Sequence, residues 1–154
     1  RQRQMCIRDR GMVAALAAPF VDPAVGMVKA RYQRSLNGQP TGGGRVTELT
    51  AKPLIKQFFP ELAHIDQPLG GEYALRRDTA LELPFVEGYG VEAGLLVDVG
   101  KQATVAQVDL GTRVHRNRPL HELAPMAEVV ARTLLARAGV IAPVAQRPPL
   151  KGKI

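Results

Sequence analysis

Apolar residues recur along this chain at two spacings, and the changes between them mark its elements. Residues 25–30 read as a short strand with alternation, including Val25, Met27 and Val28. Val46, Leu49 and Leu54 return at helical spacing and predict a helix over about residues 46–59. Pro53 falls inside that helix, where its missing N–H and its ring kink or split the coil, and Pro60 ends it. Residues 12–18 read as the end of a helix, and residues 32–39 as a polar stretch closing in turn residues. A strand is expected over 69–75, with Gly70 and Gly71 marking a bulge or a close backbone approach. A short helix over 77–83 stops at Pro84, and Gly88-Tyr89-Gly90 makes a turn. Val91, Leu95 and Val99 predict a helix to about residue 101, residues 102–110 a strand, and residues 111–119 a polar basic loop. The clearest pattern is the last: Met126, Val129, Val130, Thr133 and Leu134 share one helical face, with Pro125 suited to the first helical position and Gly139 to the C-terminal cap. Strands and helices separated by glycine turns, without internal repeats, indicate an α/β fold.

Bulk composition narrows the class. At 154 residues and 45% hydrophobic content, the chain can build one real core. No apolar run is long enough to span a bilayer, and the apolar stretch 12–20 lacks the arrangement of a signal peptide, so no membrane partner and a cytoplasmic location are expected. Cys6 is the only cysteine, which excludes an intrachain disulfide and a cysteine-based zinc site. Residues 1–10 (RQRQMCIRDR) have no periodicity and resemble translated adapter sequence. They are read as a non-native leader, which makes 11–145 the folded unit of a gene truncated at its start. The Pro-rich, basic residues 146–154 are expected to be a disordered tail. Net charge is +7, but residues 1–10 and 146–154 each contribute +3, leaving +1 for the interior. With aromatics at 5% and no tryptophan, a polyanion- or RNA-binding module lacks the interleaved arginines and aromatics it needs, and no nucleic-acid partner is expected.

Four clusters remain as candidate chemistry. In Pro40-Thr41-Gly42-Gly43-Gly44-Arg45-Val46-Thr47-Glu48-Leu49 a glycine turn feeds a helix start with Arg45 and Thr47 on its first turn. Such a start, with exposed N–H groups and the positive end of the helix dipole, suits an anion such as a phosphate; a flexible connection is the alternative. It is not a Walker loop, because no Gly-Lys-Ser/Thr closes it. Gln67-Pro68-Leu69-Gly70-Gly71-Glu72 leaves room for a ligand beside the main chain, or else is a bulged strand. In Gly88-Tyr89-Gly90-Val91-Glu92 the acid falls on the first turn of a helix, where the dipole stabilises it and where it could also accept hydrogen bonds from two sugar hydroxyls. The fourth, running from Gln107 to Leu120, sets Arg113, Arg116 and Arg118 around His115 just beyond a strand: a solvated basic loop, or a place for phosphate and a divalent ion.

Together, in this order, the segments 40–49, 67–72, 88–92 and 106–120 resemble the glucosyl-3-phosphoglycerate synthases, retaining glycosyltransferases of the GT-A (Rossmann-like) type, over about residues 25–140. The resemblance implies transfer of glucose from UDP-glucose to 3-phosphoglycerate, a divalent metal (Mg or Mn) and a homodimer. By that likeness Gly44, Arg45, Val46 and Thr47 hold the acceptor phosphate and Asn117 adds an acceptor contact. Leu69, Tyr89, Gly90, Val91 and Glu92 lie beside the donor sugar, and Arg113, Val114, Arg116 and Arg118 approach the donor. His115 would ligate the metal, and Glu92 and Arg113 would carry the catalytic roles. The family's N-terminal half binds uridine and supplies an Asp-x-Asp motif, which this chain lacks; Asp98 and Asp109 stand alone. The chain therefore reads as the acceptor- and metal-side, C-terminal portion of the fold, inactive by itself. A relative that uses another nucleotide sugar or phosphorylated acceptor fits the same residues, because base selection lies in the missing half.

Overall fold

The computed structural model describes residues 11–36, 39–41, 44–114, 119–142 and 145–151, with the side chains of 33–36, 39–41 and 112–114 outside the description. Residues 11–17 form helix α1, followed by a 3-10 turn at Ala18–Val21. Strand β1, Val25–Leu36, is the axis of the molecule. It pairs in parallel with β5 (Thr104–Val114), from Val25↔Thr104 to Ser35↔Val114. Its other edge is shared by two short antiparallel partners, β3 (Tyr73–Leu75) at Met27–Lys29 and β2 (Gln39–Thr41) at Arg34–Leu36.

Both faces of this sheet are covered, which explains why residues 25–30 are all buried and why their apolar run does not alternate cleanly. Met27 belongs to the larger core. Val25, Val28, Ala30 and Tyr32 point to the opposite face, against Leu16, Met12 and Phe20. A register shift between Val25 and Met27 puts Val25 on the Val28 side despite its odd spacing. On the larger side lies α4, Val91–Gly100, with Ala93, Leu95, Leu96, Val97 and Val99 at most 1% exposed. A helix buried on every side needs no polar face: α4 packs on β1 and β5 and is capped from outside by α5, Leu120–Arg137. Gly94 permits the approach of β4 (Phe85–Val86), since a Cβ there would stand 2.8 Å from Val86 Cγ2. Arg137 of α5 donates to both carboxylate oxygens of Asp98 on α4, at 2.7 and 2.9 Å, with both side chains nearly buried.

Several boundaries differ from those the periodicity predicts. The polar stretch at 32–39 is largely strand: β1 runs to Leu36 because β5 and β2 supply backbone partners that polar side chains do not forbid. Likewise β5 continues to Val114, into the expected loop. The strand expected at 69–75 is confined to β3. Helix α5 begins at Leu120, so Pro125 lies inside it rather than at its start. Pro53 does split its helix: a π turn at Thr47–Ala51, closed by the Lys52 N–H on Thr47 O, precedes α2, Lys52–Phe58. That wider turn lets Pro53 sit in the first turn of α2, where no N–H is required. Helix α3 spans Arg77–Glu82, and Gly139 ends the run after α5 at φ 73°, as a C-terminal glycine should. Within the tail, β6, Gln146–Arg147, pairs with β4, Gln146 accepts from Arg137 at 3.0 Å, and Lys151 bonds Leu81 O and Glu82.

Candidate functional site

The second and third clusters meet. Residues 67–72 run irregularly beside β1, tied by Ala30 N–H to Glu72 O at 2.9 Å and closed by Gly70 N–H to Gln67 O at 3.0 Å. Glu92, half-buried on the first turn of α4, brings Oε1 to 3.9 Å from where a Cβ on Gly71 would lie. Leu69 is half-buried at this turn, whereas Tyr89 is 51% exposed and Gly90 is buried in the 3-10 turn Gly88–Gly90 that leads into α4. Gly88 and Val91 also line a separate cleft of about 420 Å³ together with Arg147 and Leu150 of the tail.

Beneath the junction of Gly71 and Glu92 lies a residue that sequence reasoning passes over. Lys29 projects from β1 on the α4 side and is fully buried. Its Nζ donates to Gly70 O at 2.5 Å and stands 5.0 Å from the centre of the Tyr73 ring. Burial pulls the Lys29 ammonium down from 10.5 to about 8, and the Glu92 carboxylate pushes back upward. The Tyr73 phenol is held above its ordinary value, first by burial and then by Glu92. The signal for Lys29 was present: one charge inside the apolar run 25–30, where a lysine is almost never fully buried without a partner. The Gln67 amide oxygen is also buried here, with no hydrogen-bond partner among the described residues.

The first cluster occupies the opposite end of α5's packing surface. The helix after the glycine turn begins with Glu48 N–H on Gly44 O at 2.9 Å, so the Val46 and Thr47 amides precede its first intrahelical bond. Val46 and Thr47 are buried; Gly44 and Arg45 are half-buried. Arg45 lines a groove of about 180 Å³ with Val46, Leu49, Leu120 and Leu123, and Glu92 is not part of it. Helix α5 touches both the π turn at Thr47–Ala51 and the Gly88–Gly90 turn, so one rigid element backs the first and third clusters. Of the fourth cluster, β5 carries the main chain of Arg113 and Val114 beside Arg34 and Ser35. The Arg113 and Val114 side chains, and His115, Arg116, Asn117 and Arg118 entirely, lie outside the described residues. Among the described residues no group of three or more His, Cys, Asp or Glu could hold a metal, and no helix is long and apolar enough to cross a membrane.

No family model matches the chain. The fold superposes with TM-score 0.81 and 41% identity on the crystal structure of the Mycobacterium tuberculosis glucosyl-3-phosphoglycerate synthase bound to Mn2+, UDP-glucose and phosphoglyceric acid, covering 93% of this chain and 56% of that one. The α/β layers around β1 and α4 are thus part of a GT-A glycosyltransferase fold. The glucosyl-3-phosphoglycerate synthase of Petrotoga mobilis is 51% identical over 134 residues, 82% of this chain and 40% of that protein. That of Mycolicibacterium smegmatis is 51% identical over 140 residues, 86% of this chain and 46% of that protein. The chain is thus about half identical to glucosyl-3-phosphoglycerate synthases and spans less than half the length of these curated relatives.

Proposed function

We propose that this chain is the acceptor- and metal-side part of a transferase that moves glucose from UDP-glucose to the hydroxyl of 3-phosphoglycerate, with retention at the anomeric carbon. The observation that carries the reading is the junction of Gly71 and Glu92, where two separate motifs converge in a chain about half identical to the named synthases. In this reading Glu92 accepts hydrogen bonds from glucose hydroxyls, with the Leu69 main chain beside the ring and Tyr89, Gly90 and Val91 adjoining. The helix start at Gly44, Arg45, Val46 and Thr47 takes the acceptor phosphate, and Asn117 adds a contact. Arg113, Val114, Arg116 and Arg118 face the donor. His115 is the protein's imidazole ligand for a divalent metal, Mg or Mn, which when bound supplies positive charge to the departing diphosphate.

The chain's own residues then bind and orient. Arginines stabilise charge that develops on the leaving UDP, and the helix start fixes the acceptor so that its hydroxyl meets the anomeric carbon. Retention is read as front-face attack, the leaving phosphate accepting the hydroxyl proton. Both substrates are phosphorylated cytoplasmic metabolites, and the cytoplasm is the compartment proposed; a homodimer is part of the same reading. The test compares the 154-residue chain with the full-length protein that contains it, each given UDP-glucose, Mn2+ and 3-phosphoglycerate. The full-length protein should form glucosyl-3-phosphoglycerate and the chain alone should stay at background. A full-length protein that transfers no glucose refutes the function, and rapid turnover by the isolated chain refutes the half-site assignment. Arg45→Ala should raise KM for 3-phosphoglycerate roughly 10- to 100-fold, as expected for a lost charge-assisted bond, and His115→Ala should instead impair metal-dependent use of the donor.

A further inference from the structure

Lys29 is an unusual side chain for this fold position. It lies in the middle of a strand whose neighbours are apolar, its register partners are Tyr73 on β3 and Gln107 on β5, and its side chain has no exposure to solvent. Burying an ammonium is costly unless it is paired and hydrogen-bonded, and Lys29, which lies over the Tyr73 ring, has two further compensations. One is the Gly70 carbonyl at 2.5 Å. The other is the negative field of Glu92, which offsets part of the burial penalty on Lys29 and also acts on Tyr73. These partners sit on either side of the junction where Gly71 and Glu92 face one another. The Lys29 ammonium holds the turn that faces the acid which the proposed reaction uses to hold the sugar.

We propose that Lys29 is a positioning residue for the donor sugar: its buried ammonium pins the Gly70 carbonyl and opposes the Glu92 charge, setting the main chain at 69–71 and the Glu92 carboxylate at the spacing a hexose requires. The inference rests on the function proposed above. Without the ammonium the turn at 69–71 loses the donor that holds the Gly70 carbonyl, and Glu92 loses the attraction of a buried positive charge. Both changes act on the glucose moiety. Neither acts on the nucleotide or on the phosphate at the helix start.

The experiment uses the full-length transferase with Lys29→Met, which keeps the length of the side chain and removes its charge. Initial rates against UDP-glucose and 3-phosphoglycerate are measured together with the Kd of UDP alone. Lys29→Met should lower kcat/KM for UDP-glucose at least tenfold while leaving the UDP Kd and the KM for 3-phosphoglycerate within twofold. In a Glu92→Gln background the same substitution should cost less than threefold, because both side chains then act on one contact. Unchanged UDP-glucose kinetics, or losses spread equally over UDP and 3-phosphoglycerate, would overturn the inference. If Lys29→Met does not fold, 15N-lysine spectra of the unsubstituted enzyme decide. A solvent-protected ammonium signal that shifts with UDP-glucose but not with UDP supports the inference, and a protected signal indifferent to UDP-glucose overturns it. An unsubstituted enzyme that transfers no glucose sinks the parent function, whereas an active enzyme indifferent to Lys29→Met sinks this inference alone.

Discussion

Asp98→Asn tests whether α4 and α5 are held together by charge as well as by apolar packing. In the native protein Arg137 Nε and Nη2 reach the two oxygens of Asp98 at 2.7 and 2.9 Å, and the side chains are only 10% and 12% exposed. Arg137 Nη2 also donates to Gln146 at 3.0 Å, and Lys101 Nζ donates to the Arg137 carbonyl at 3.2 Å. Removing one partner of a buried ion pair strands the other charge, at about 3–5 kcal/mol. Asparagine keeps the volume and one acceptor, and the pair is not wholly dry, so about 3 kcal/mol is expected. For a domain of this size that lowers Tm by roughly 6–12 °C. Urea denaturation followed by circular dichroism, with native protein and variant side by side, measures it. The double variant Asp98→Leu/Arg137→Met should recover most of the loss, because a well-packed apolar pair avoids the desolvation cost. A loss below about 1 kcal/mol for Asp98→Asn would refute the claim that this pair is energetically buried, as would a double variant no better than the single.

Lys29 makes a pH-dependent prediction. Its pKa falls from 10.5 unfolded to about 8 folded, so between those values the unfolded chain holds more protons and stability rises with pH. Below pH 8 the buried charge costs about 3 kcal/mol, less the bond to Gly70. Lys29→Met should therefore gain stability relative to the native protein at pH 7, and the difference should shrink toward pH 10 in paired urea titrations. Gly94→Ala should destabilise by about 1–3 kcal/mol through overpacking, since its Cβ would stand 2.8 Å from Val86; adding Val86→Ala should restore much of the midpoint.

What was legible in the sequence follows from which forces are local. The helix broken at Pro53, the capped end at Gly139 and the strand at 25–30 announce themselves because proline geometry, glycine conformation and apolar patterning act within a few residues. Extents of strands did not. Residues 33–35 are polar, and what makes them strand is backbone pairing with β5, 79 residues further on. Pro125 misled for a related reason: packing of α5 on α4 carries the helix through it, and Leu120 starts the coil. At the site, motif order identified the family and so suggested Glu92 and the glycines. Lys29 stood out only as a charge within an apolar run, and its role was hidden because its partner carbonyl, on Gly70, is 41 residues away.

Strand β1 has consequences for how the polypeptide is born. Its two edges are satisfied by segments at 39–41, 73–75 and 104–114, the largest of them last in order of synthesis. Until Val108 has left the ribosome, the apolar run at 25–30 carries an open edge along its length, and until Gly100 has emerged it also lacks the α4 cover on one face. Long-range parallel pairing of this kind forms slowly and exposes sticky intermediates. The nascent chain should therefore engage a holding chaperone during the window in which residues 30 to 114 emerge, and release should coincide with closure of β5 on β1.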